Sequence, residues 1–161
     1  MDDRADFAAF YEQAHPRVLG VLCAVSGDRH AAIDATDEAF VRALERWSRV
    51  GKMASPDGWT YRVALNGLRR AKRRAAKERA ASHHLALTSA TPTNPELWEA
   101  VRALAPRQCH AIALRYVADL PEAEIAEVMG ITRGTVASTL ADARARLAQQ
   151  LGEPSLSEES A

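Results

Sequence analysis

EAEIAEVMGITRGTVASTL, residues 122–140, decides the fold. Apolar Ile125, Met129, Ile131 and Leu140 bracket Ala126, Gly130 and Val136, which fall four and then six residues apart. Two steeply crossing helices need a small side chain where they touch, which Ala126 supplies. They also need a glycine where the tight turn takes positive φ, Gly130, and an apolar anchor for the second helix, Val136. Thr132 stands where it caps that second helix, so that its first backbone N–H groups and positive dipole end face a phosphate or a groove. The spacing predicts a helix-turn-helix; an αα-hairpin inside an unrelated bundle is the alternative reading of the same pattern.

Working outward, Leu97, Val101 and Leu104, then Ile112, Leu114, Tyr116 and Val117, continue a set of short helices ahead of this motif. Before them, AASHHLALTSATPTNP, residues 80–95, lacks periodicity and carries two prolines and an asparagine at its end, the composition of a flexible linker. Further upstream, Phe7, Phe10, Tyr11, Ala14, Val18, Val21, Leu22 and Val25 recur at three- and four-residue steps, one buried helical stripe ending near Ser26-Gly27-Asp28. A second helix is expected over roughly 30–47, with Ile33, Phe40, Val41, Leu44 and Trp47 inward and Asp34, Asp37, Glu38, Arg42 and Glu45 outward. After a break at 51–56, a third long helix is expected to run to Arg79, with Pro56 in its first turn as proline prefers. The expected fold is all-α: two small helical domains, 1–79 and 96–151, joined by the linker 80–95 and followed by an acidic disordered tail, 152–161.

Composition agrees. The chain has 161 residues, 47% hydrophobic and 26% charged, which is enough apolar material for a core. Its 33 alanines against 8 glycines and 7 prolines favour helix, since alanine loses no side-chain entropy there. The 21 bases balance the 21 acids overall, yet they are not mixed. Residues 46–79 hold 11 bases and 2 acids, whereas residues 1–45 hold 9 acids and 4 bases. A basic block inside a neutral chain points to a polyanion partner. Two cysteines, Cys23 and Cys109, in apolar helical surroundings fit buried thiols better than a disulfide scaffold. With no leader-like start and no long apolar run, the expectation is a cytoplasmic protein with no membrane insertion.

The second half, Leu104-Ala105-Pro106-Arg107-Gln108, Ala113-Leu114-Arg115-Tyr116, Glu124-Ile125-Ala126-Glu127-Val128-Met129-Gly130, Gly134-Thr135-Val136 and Ala143-Arg144-Ala145-Arg146-Leu147, resembles region four of the extracytoplasmic-function sigma factors of bacterial RNA polymerase. The first half resembles region two of the same family through Phe7-x-x-Phe10-Tyr11, Asp34 with Glu38-Ala39-Phe40-Val41-Arg42-Ala43-Leu44, Trp47, and Trp59-Thr60-Tyr61-Arg62-Val63-Ala64-Leu65-Asn66 running into Arg69-Arg70-Ala71-Lys72-Arg73-Arg74. The two resemblances cover about residues 5–150 in the family's order.

This resemblance implies a two-part promoter reader. Asp34, Asp37, Glu38 and Arg42 would dock on the β′ clamp helices of core polymerase, with the β subunit a further contact; a merely solvated helix face would be acidic too. Arg62, Asn66, Arg69, Arg70, Arg73 and Arg74 would hold the melted minus-ten strand, arginines tracking phosphates and an amide reading a base edge. Trp59 and Tyr61 could support splayed bases or belong to the core, and for Trp59 the core is the preferred reading. Arg133, Thr135, Ser138 and Arg144 would face minus-thirty-five DNA. The recognition helix is short of cations, with Ala137-Ser138-Thr139 where relatives often carry Lys-Ser-Arg, so a weak or unusual minus-thirty-five contact is expected. An anti-sigma factor is a further partner the family brings with it. Neither a catalytic motif nor metal-ligand spacing is present, and no cofactor is expected; His83-His84 lack nearby ligands. The competing readings are a free-standing helix-turn-helix regulator acting as a dimer on duplex operators and a polymerase-binding module with weakened promoter recognition.

Overall fold

The computed structural model describes residues 3–81 and 94–152. Most of the expected linker and nearly all of the expected tail fall on residues 82–93 and 153–161, outside the described residues. The described residues form eight helices: α1 (Asp3–Ser26), α2 (Arg29–Glu45), α3 (Trp47–Val50), α4 (Pro56–Ala81), α5 (Pro95–Ala103), α6 (Pro106–Tyr116), α7 (Glu122–Met129) and α8 (Arg133–Leu151). No strand occurs among the described residues, and no helix is long and apolar enough to cross a membrane.

Local chemistry sets the boundaries. Gly27, at φ +68°, closes α1, and Asp28 then caps α2 by accepting from the Ala31 backbone N–H at 3.1 Å. Pro56 opens α4, where a missing N–H removes no helical hydrogen bond. Asn94 caps α5 through the Leu97 N–H.

In the first half, α1 packs on α2 and α2 on α4. The buried face of α2 is built from small residues, Ala32, Ala35, Thr36, Ala39 and Ala43, and Phe40 is its one large buried side chain. Small side chains let the helices approach closely; a Cβ added to Gly67 of α4 would stand 3.8 Å from that of Ala35. Phe40 is surrounded by Phe10, Tyr11 and His15 at ring separations of 5.7, 5.1 and 5.2 Å, and Phe7 and Phe10 close on Trp47. The expected inward positions Val41 and Leu44 are corrected: they are 55% and 50% exposed, because the α2 interface selects alanine rather than bulk. Trp59 is half-buried and Tyr61 fully buried, so Tyr61 belongs to the core.

The second half buries Val101, Leu114, Ile125, Val136 and Leu140 among α5 to α8. Gly130 takes φ +66° as the C-cap of α7, and the Ile131 N–H reaches back to the Ala126 carbonyl at 3.0 Å, the signature of a left-handed helix stop. Thr132 caps α8, its hydroxyl accepting from the Thr135 N–H at 3.2 Å. Thr132→Ala should therefore cost about 1 kcal/mol of stability, read by urea unfolding; a loss below a few tenths would mean the cap contributes nothing.

The halves are not held apart. α4 packs on α7, and α1 packs on α5 and α6, so that one buried cluster runs through both. Two glycines sit at this junction: a Cβ on Gly20 would meet Val117 at 3.3 Å, and one on Gly58 would meet Val128 at 3.7 Å.

Candidate functional site

Helical periodicity divides the polar side chains of α4 into two stripes. Arg62, Asn66, Arg69 and Arg73 follow one another at four-, three- and four-residue steps, while Arg70 and Arg74 lie on the adjoining face. The structure sends these stripes to different places. Arg70 and Arg74 line a groove of about 860 Å³ between α2 and α4, across from Asp34, Glu38 and Arg42. Arg69 and Arg73 instead line a cleft between α4 and the α5–α6 corner of the second half. Arg62 is tied to the C-terminal end of α7, its Nε donating to the Val128 carbonyl at 3.3 Å and its Nη2 to the Glu127 carbonyl. A guanidinium at a helix C-terminus meets unsatisfied carbonyls and the negative end of the dipole, so this contact is favourable. Asn66 is exposed, and its side chain makes no hydrogen bond among the described residues.

The acidic group on α2 is split as well. Asp34 and Glu38 face the α2–α4 groove, Glu38 pairing with Arg42 one turn on, while Asp37 turns to α1 and meets the His15 ring nitrogen at 3.1 Å. Asp34 has no partner among the described residues. Exposed Val41 follows Asp34 by seven positions and Glu38 by three, which places an apolar side chain within the same acidic stripe. Sequence periodicity missed this, because it assigned Val41 and Leu44 to the core on hydrophobicity alone.

On α8, all four expected DNA-facing residues are exposed and already engaged within the chain. Arg133 approaches Glu122 at 3.5 Å, the Thr135 hydroxyl lies 2.8 Å from that of Thr132, and the Ser138 hydroxyl donates to the Thr135 carbonyl at 3.0 Å. Arg144 donates to the Tyr116 hydroxyl at 2.9 Å with its guanidinium near the ring. These contacts are solvated and worth little each.

Burial shifts several groups at the junction. His110 is driven from its usual range down to about 4, first by burial and then by the cations Arg69 and Lys72. Burial also lowers Lys72, with Arg102 adding to the effect, and raises the thiols of Cys23 and Cys109, which are unpaired. Because folded His110 holds its proton less tightly than an unfolded histidine, its contribution to stability is complete above pH 6.5 and is lost as pH falls toward 4. Lowering the pH from 7 to 5.5 should destabilise the protein by on the order of 1 kcal/mol, and His110→Gln should remove that part of the slope. An unchanged slope in the variant would place the titration elsewhere. No group of three or more potential metal ligands occurs among the described residues.

Comparison with known proteins gives one consistent picture. Residues 10–78 match sigma-70 region 2 and residues 95–147 match sigma-70 region 4. RNA polymerase sigma-E factors of Streptomyces avermitilis and Streptomyces coelicolor are each 29% identical over 126 residues, spanning 74% of this chain and 70% and 71% of theirs. The fold is similar to that of the sigma factor RpoE in its complex with the anti-sigma factor NepR from Bartonella quintana, at a TM-score of 0.77, 19% identity and coverage of 91% of this chain and 96% of that one. It is also similar to CnrH in complex with the cytosolic domain of CnrY, at a TM-score of 0.66, 20% identity and coverage of 90% and 86%.

Proposed function

Because the chain belongs to the extracytoplasmic-function branch of the sigma-70 family, whose members bind core RNA polymerase and direct it to promoters, we propose that its two polar faces divide that task. The α2 stripe Asp34, Glu38 and Val41, with Arg42 beside it, docks on the β′ clamp helices, and Asp37 extends the contact toward α1. The α4 stripe Arg62, Asn66, Arg69 and Arg73, with Arg70 and Arg74 on its flank, holds the separated non-template strand at minus ten. The exposed first turns of α8, carrying Arg133, Thr135 and Ser138, face minus-thirty-five DNA with Arg144 behind them. Members of this family are initiation factors and not enzymes; catalysis remains with the polymerase, and the site of action is the cytoplasm.

The observation that carries this reading is the segregation of charge on adjoining helices. Acids and an apolar side chain stand on α2, while bases stand on α4 with one exposed amide among them. A protein surface and an opened strand are chemically different partners, and the two faces match them separately.

The arrangement described is a closed one. Arg62 is bound to α7, and Arg69 and Arg73 look into the second half, so capture of the strand requires the halves to part. An anti-sigma protein that favours this packing would silence the factor without covering any DNA-binding residue itself.

Run-off transcription tests the reading. Core polymerase with the full chain should initiate on a cognate promoter, and the Arg69→Ala/Arg73→Ala variant should bind core normally yet lose about tenfold or more in affinity for a forked minus-ten probe, two phosphate contacts being removed. Unaided, dimeric binding to duplex DNA with no association with core would support the free-standing regulator instead.

A further inference from the structure

The cleft between the halves measures about 540 Å³, within the range of small-molecule sites. Its cations come from both sides: Arg69, Lys72 and Arg73 from α4 and Arg102 from α5. No carboxylate lines it, and the floor is apolar, formed by Leu65, Leu68 and Leu104.

Two of these cations are held in place by the end of α1. The Lys72 ammonium donates to the Val25 carbonyl at 3.2 Å, and Arg102 reaches the Ala24 carbonyl at 3.5 Å. Gly27 makes room for the second contact, since a Cβ there would stand 3.0 Å from the Arg102 Nε. Each cation keeps further N–H donors free, and Arg69 and Arg73 have no partner among the described residues. Lys72 as a residue is exposed and borders the α2–α4 groove as well, while its ammonium is partly buried against the Val25 carbonyl.

Closing the halves therefore brings four cations together over an apolar floor with no carboxylate in the lining, and the carbonyls at the end of α1 offset the charge of Lys72 and Arg102 only in part. A solvated basic face would place its charges outward and apart. Here two helices bring them to one concavity, α4 with Arg69, Lys72 and Arg73 and α5 with Arg102 from the opposite half. An anion seated there removes the repulsion and binds both halves at once, so its binding and closure are linked.

We propose that this cleft binds a small phosphate ester carrying at least two negative charges and an apolar or planar body, of the nucleoside diphosphate class, and that the bound ester holds the factor closed. Several fixed cations call for more than one negative charge, the leucine floor accepts an apolar body, and guanidinium planes stack on rings. The closed factor withholds Arg62, Arg69 and Arg73 from the minus-ten strand. The regulatory half of this proposal rests on the strand-capture reading above; the binding half does not.

Titration calorimetry of the full chain at 150 mM salt tests it, with ADP, inorganic pyrophosphate and adenosine as probes. ADP should bind with one-to-one stoichiometry, pyrophosphate more weakly and adenosine not at all. Arg73→Gln, which removes an exposed side chain with no partner among the described residues, and Arg102→Gln, on the other half, should each weaken ADP roughly tenfold or more. The Arg70→Gln/Arg74→Gln pair, on the α2 groove, should change it by less than twofold. Equal damage from that pair, or no binding at all, overturns the site; pyrophosphate binding as tightly as ADP overturns the role of the floor. Fluorescence transfer between dyes on α2 and α8 should report a narrower separation with ADP bound, and an unchanged separation overturns the clamp even if the site stands. Because none of these readings uses polymerase or promoter DNA, failure here is distinct from failure of the sigma reading, which run-off transcription decides.

Discussion

Asp34→Lys with Glu38→Lys should weaken association with core polymerase by about 2–4 kcal/mol, roughly 30- to 700-fold, while leaving the fold intact. Both carboxylates are exposed on α2, and among the described residues Asp34 has no partner and Glu38 pairs only with Arg42 one turn away, so their replacement removes little internal stabilisation. Reversal does more than delete an attraction, since under the proposed docking it sets cations where the two carboxylates would meet the polymerase. The loss should appear in competition for core enzyme against a second sigma factor, and helicity should be unchanged by circular dichroism. Wild-type competition by the double variant would remove α2 from the docking surface. Val41→Asp is the complementary change: an exposed apolar side chain amid acids has no role in stability, so its effect should be confined to binding.

Phe40→Ala should cost about 3–5 kcal/mol of stability, the usual range for deleting a buried aromatic ring. Two features place it in that range. Phe40 is 2% exposed, and every other residue α2 buries is alanine or threonine, so no neighbouring side chain on that helix can swing in to fill the space. The ring also holds the contacts to Phe10, Tyr11 and His15 that fix α1 against α2. A globular domain is stable by only about 5–15 kcal/mol, so such a loss takes much of the margin. Urea unfolding would show the midpoint falling with an unchanged slope, whereas a loss under 1 kcal/mol would mean that the aromatic cluster repacks.

The contrast between Phe40 and Val41 also marks how much could be read from the chain alone. Periodicity at three and four residues located α1, the helix-turn-helix and the long α4, because there bulky apolar side chains face inward and the signal is direct. On α2 it failed for Val41 and Leu44, since tight helix approach buries alanines, which carry almost no pattern, and leaves larger residues outside. Capping by Thr132 and the left-handed Gly130 were legible because local backbone chemistry decides them. The approach of the two halves was not, because it rests on side chains far apart in sequence. Arg62 meets Glu127 and Val128 some 65 positions downstream, and nothing in its own neighbourhood announces a helix end as its acceptor. For the same reason the basic run of α4 reads as one polyanion-binding face, whereas geometry divides it between a groove shared with α2 and a cleft shared with the second half.

The clasp of Arg62 on α7 has a kinetic consequence. If only the parted form can receive the strand, the observed affinity is the intrinsic affinity scaled by the fraction parted, and capture cannot outrun the parting step. Raising the concentration of forked probe should then bring the observed rate to a plateau set by the protein rather than by diffusion, and releasing the clasp with Arg62→Met should lift that ceiling even as the contact of Arg62 with the strand is forfeited.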